Sequence, residues 1–143
     1  MPTRYKIRTE ADISDDLLLL LKQYVVQIKV DTDSTLLTTG NGKYIWNVPE
    51  RVNGYNLTSA HCAVTTPSSF DTPLFSFYNL TTNNEMLGTP VTIDENEYDS
   101  YNAIVASTVI NPLVSTSDRI RFDCGLAGTG TKGWSVTLTF THP

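Results

Sequence analysis

The chain has 143 residues, of which 40% are hydrophobic and 17% charged, and its formal net charge is −5. A chain of this length fits one domain and hides roughly 70% of its unfolded surface on folding, so it needs neither a disulfide nor a metal to be stable. It is acidic and has no run of Lys or Arg, so it lacks the basic footprint of a nucleic-acid binder, and an acidic surface is repelled by anionic membranes.

Residues 1–13 are polar and without period, and read as an arm. Ser14-Asp15-Asp16 has the form of a helix start, with a Ser cap and two acids in the first turn. Leu17 to Lys22 then predict a short helix; an extended segment is the alternative, and leucine's propensity favours the helix. Asp12, Asp15 and Asp16 stand before the five leucines, where a signal peptide carries basic residues, and Lys22 ends the run early. The run is also far shorter than the ~20 residues of a membrane helix. The expected division is therefore an arm and short helix over 1–22, followed by one β domain over 23–143.

From Val25 the period is two. Val26, Ile28 and Val30 alternate with Gln27, Lys29 and Asp31, as in a strand with one wet face. Gly40-Asn41-Gly42 predicts a turn; Tyr44, Trp46 and Val48 then alternate until Pro49 ends the strand. After the Asn53-Gly54 turn, Leu57 to Val64 alternates only weakly, which suggests burial on both faces. Leu74–Leu80, Met86–Ile93, Ala103–Ile110, Arg119–Cys124 and Trp134–Phe140 follow as strands, separated by loops rich in Pro, Ser, Thr, Asn and Gly. The sum is about eight short strands with regular turns. The predicted fold is all-β: an eight-stranded antiparallel jelly-roll β-sandwich with a short N-terminal arm or helix.

Candidate chemistry is sparse. His142 is penultimate and expected to fray, while His61 lies mid-strand, where a histidine is usually structural. His61, Asp123 and a serine could supply a triad, but no spacing favours one, and no Gly-x-Ser-x-Gly elbow occurs. Asp94, Glu95, Glu97 and Asp99 share a loop that reads as a solvated surface and lacks the spacing of a calcium loop. Gly125 to Gly133 contains no Walker pattern and opens a strand instead of a helix. Cys62 and Cys124 form no zinc motif and are expected as buried thiols; a cross-sheet disulfide stays open. Trp46, Trp134, Phe75, Phe77 and Phe140 take core positions, whereas Tyr55, Tyr98 and Tyr101 fall in loops, where flat amphipathic rings suit a sugar or protein partner. The expectation is a protein that assembles and binds, with no catalytic residue, cofactor or metal.

An ordered set of segments carries a resemblance. They are Thr38-Thr39-Gly40-Asn41-Gly42-Lys43 through Val48-Pro49, then Asn53-Gly54-Tyr55-Asn56-Leu57, Glu85-Met86-Leu87 and Val91-Thr92-Ile93-Asp94. Asp118 to Asp123 and Lys132-Gly133-Trp134 through Phe140 complete it. The set resembles the head-decoration and fibre-tip jelly-roll structural proteins of tailed bacteriophages. The resemblance implies a homotrimer on the outer capsid surface of the virion, bound to the major capsid protein and stabilising the head. A receptor-binding fibre tip that recognises host glycan is the alternative. Leu17, Leu18, Leu20 and Leu21 of the arm, with Tyr98 and Tyr101, are the expected partner-binding residues.

Overall fold

The computed structural model describes Leu17 and residues 22–143. Among the described residues ten strands form antiparallel sheets. The first sheet has the order β1 (Gln23–Lys29), β10 (Ser135–Thr141), β3 (Asn56–Ala63). The second has the order β2 (Gly40–Asn47), β9 (Arg119–Leu126), β4 (Leu74–Asn79), β5 (Asn84–Glu85), and β7 (Val91–Thr92) also pairs with β4. A small ribbon joins β6 (Leu87–Thr89) to β8 (Thr108–Val109). The fold is all-β and its layers are those of a β-sandwich.

Alternation along the strands builds the core. Val136, Leu138 and Phe140 of β10 face inward, as do Ile120, Phe122 and Cys124 of β9 and Phe75 and Phe77 of β4, and all are buried. Aromatic rings pack within and between the layers: Phe77 meets its cross-strand neighbour Phe122 edge-on at 5.0 Å, and Phe75 stacks on Trp134 at 4.6 Å. Trp46 is only partly buried but lies against Phe140 across the two sheets, at 5.4 Å.

Several expectations are corrected. Gly40–Gly42 is no turn between strands but an irregularity inside β2: Gly40 pairs with Cys124, and the next pair is Tyr44 with Phe122. Gly42 has a φ of 72°, and its N–H reaches the Asp123 carboxylate at 2.8 Å. The weak alternation of β3 is a bulge and not two-sided burial. The register shifts between Thr139 and Phe140, so Leu57 and Ala60, three positions apart, both point inward. Met86–Ile93 is broken into β6 and β7, with Pro90 between them unable to donate to a ladder. Ala103–Ile110 is strand only at β8, and Ile104 is 88% exposed. His142 does not fray: its N–H bonds to the Lys22 carbonyl at 2.8 Å, and its ring meets Tyr55 edge-on.

Candidate functional site

β3 is the outer strand of its sheet, and its free edge is covered in two places. At one end Leu57 N–H donates to the Pro112 carbonyl at 2.8 Å. At the other, Ser100 N–H donates to the Cys62 carbonyl at 3.0 Å, and Val64 N–H donates to the Tyr98 carbonyl at 2.8 Å. Between these clamps lies a cavity of about 400 Å³, lined by Thr58, Ser59 and His61 of β3 and by the 100–109 segment opposite.

His61 and Ser100 anchor the site. The Ser100 hydroxyl accepts the Cys62 N–H at 3.0 Å and sits 3.0 Å from His61 Nδ1. One hydroxyl thus ties the loop to the strand backbone and to the imidazole. The His61 ring stacks on Tyr101 at 4.1 Å. Burial pushes the His61 pKa below its usual 6.5, and Asp99 nearby opposes the shift. A neutral ring accepting from Ser100 fits this environment.

Three of the four acids of the neighbouring loop are spent on backbone. The Asp94 carboxylate accepts the Ile104 N–H, Glu95 accepts the Asp71 N–H, and Asp99 accepts the Tyr101 N–H. Among the described residues no group of three His, Cys, Asp or Glu side chains is placed to hold a metal ion. Asp123 lies in the other sheet and is held by Arg121 in a two-pronged ion pair, so it does not join His61 and Ser100. Ser100 itself is buried, and its oxygen is already engaged by the Cys62 N–H.

Of the expected partner-binding residues, Tyr98 and Tyr101 are exposed on one segment, 58% and 60% respectively. Ile104 and Val105, which fall in the predicted strand Ala103–Ile110, are exposed on the same segment. Leu17 is exposed; Leu18, Leu20 and Leu21, like the rest of the arm, lie outside the described residues. Tyr55 is corrected from a loop ligand to a core residue, buried with its hydroxyl bonded to Arg51. Cys62 and Cys124 are both buried free thiols, and burial raises both pKa values, Cys124 to about 11.

No protein-family model matches the chain, and no characterised protein matches it by sequence.

Proposed function

We propose that this is a phage virion structural protein with a jelly-roll sandwich, a trimeric decoration protein on the outer capsid that works by assembly and not by catalysis. The observation that carries the proposal is the nested strand order. β1, β2, β3 and β4 alternate between the two sheets; the chain then returns, placing β9 between β2 and β4 and β10 between β1 and β3. This order supports the jelly-roll reading, in which a ribbon is folded over on itself. On this reading the short pieces β5 to β8 take the place of two longer strands of an eight-stranded version.

The segments behind the resemblance fall on points that hold such a ribbon. Gly40–Lys43 is the β2 irregularity. Asp118 accepts both the Asn79 side-chain amide and the Ser115 N–H. Gly133 has a φ of 73° and is followed by the fully buried Trp134. A pattern made of fold-determining residues suits a protein whose task is to be stiff and to present surfaces. Tyr98, Tyr101, Ile104 and Val105 supply one such surface, an apolar strip of the kind that marks interaction sites.

Two measurements test the proposal. Light scattering of the purified chain is expected to give a trimer, and antibody labelling of intact particles is expected over the head. A monomer at micromolar concentration together with unlabelled heads would sink it. Label confined to the tail end would favour the receptor-binding alternative, for which the exposed Tyr98 and Tyr101 are the supporting observation.

A further inference from the structure

We infer that the cavity beside β3 binds a neutral saccharide. Its volume, about 400 Å³, lies in the range of small-molecule sites. No Lys, Arg, Asp or Glu lines it, so it offers no counter-charge to a phosphate, a carboxylate or an ammonium group. Hydroxyls line it instead. Those of Ser59 and Ser107 make no hydrogen bond among the described residues and are available as both donors and acceptors. Thr92 points its hydroxyl to the Val105 carbonyl and retains acceptor capacity. Val91 and Val109 give an apolar patch.

Tyr101 completes the match. It lines the cavity yet is 60% exposed, so its ring stands at the mouth. The stack on His61 fixes the ring's orientation in advance, which lowers the entropy cost of binding. A pyranose has hydroxyls around its edge and a C–H face, and needs hydrogen-bonding groups beside a flat apolar one. A fatty chain would strand the hydroxyls, and an anionic sugar would meet no cation. This inference does not depend on the capsid reading, since a decoration protein and a fibre tip can each carry such a site.

The test is a ¹H–¹⁵N titration of the full chain with glucose, galactose and N-acetylglucosamine, with glucuronate and inorganic phosphate as contrasts. At sugar concentrations on the order of 10 mM, at least one neutral sugar is expected to shift the amides of Ser59, Tyr101 and Ser107. Tyr101→Ala is expected to weaken that binding about tenfold and Ser107→Ala several-fold, with an unchanged spectrum elsewhere. Ile104→Asp, which alters a part of the apolar strip that does not line the cavity, is expected to leave sugar affinity unchanged, so failure of assembly and failure of binding are read separately. The inference is overturned if none of the three neutral sugars shifts cavity amides, if glucuronate or phosphate binds there as well as they do, or if Tyr101→Ala binds as the parent does.

Discussion

The central strands β9 and β10 and the segment 94–107 along β3 are similarly rich in apolar residues and have opposite fates. Each central strand is paired on both sides, and its inward residues are almost wholly buried. The segment 94–107 belongs to no named strand and leaves Tyr98, Tyr101, Ile104 and Val105 exposed. It is held by a few scattered backbone hydrogen bonds, such as Val64 to Tyr98 and Ser100 to Cys62, and by side chains that reach backbone groups: Asp94 to Ile104, Asp99 to Tyr101, Ser100 to Cys62 and Thr92 to Val105. Ladder pairing therefore fixes the frame, while a handful of polar contacts shape the surface that has work to do. The first region carries the buried core, and the second carries the exposed apolar side chains on which the proposed recognition rests.

The largest effect is expected in the frame. Phe122 meets Phe77 edge-on and Tyr44 at 5.4 Å, and it is fully buried. Phe122→Ala is expected to cost about 3–5 kcal/mol in urea unfolding, from lost burial and the cavity left behind. A cost no larger than that of a surface change would mean that the two regions do not differ as described.

Ser100→Ala tests the clamp between them. It leaves the buried Cys62 N–H without its acceptor and His61 Nδ1 without its partner. The expected cost is about 1–3 kcal/mol. Amide exchange is expected to quicken over 94–107 and to stay slow in β9 and β10. Uniform loss of protection would show that the segment and the frame open together.

A smaller effect comes from pH. The folded state holds His61 below its usual 6.5, so its contribution to stability is present above 6.5 and is lost as pH falls through the lower, folded value. Glu85 runs the other way. Burial first, then Asp123, raise its pKa, so its contribution is present below 4.5 and is lost as pH rises through the folded value. Subtracting a His61→Gln variant isolates the first effect. The gap between parent and variant in urea midpoint is expected to change between roughly pH 7 and pH 5, the parent losing more. A constant gap would show that His61 titrates as it does in the unfolded chain.

The frame was legible in the sequence; of the exposed strip only Tyr98 and Tyr101 were, and Ile104 and Val105 were not, for a local reason and a non-local one. Val136, Leu138 and Phe140 alternate with threonines and serine, and a single sheet face dictates that pattern, so β10 is readable residue by residue. β9 and β4 are readable for the same reason. The run Ala103–Ile110 has the same β-branched composition, but composition does not say whether a partner strand lies beside it. The bulge in β3 broke a period that only the β10 register explains. Tyr55 and Tyr101 both follow turn residues, and what separates them is a neighbour distant in sequence, His142 for one and His61 for the other. The cavity depends on two clamps from residues 98–100 and 112, and no short window of sequence contains both.

The smallest effect on the fold is expected from Ile104→Asp, and it is the sharpest test of the division. The Ile104 side chain is 88% exposed, and only its N–H is tied down, by Asp94. Replacing it should change unfolding stability by no more than about 0.5 kcal/mol, because no core contact is lost. If the strip carries the trimer contact, the same change places a carboxylate in each of three equivalent, head-to-tail interfaces. Removing water from that charge costs several kcal/mol, enough to convert a micromolar trimer to monomer in light scattering. An intact trimer with unchanged stability would free the strip from self-association and leave it for a different partner. A monomer with unchanged stability would locate assembly on the loosely held segment and leave the paired strands with the fold alone.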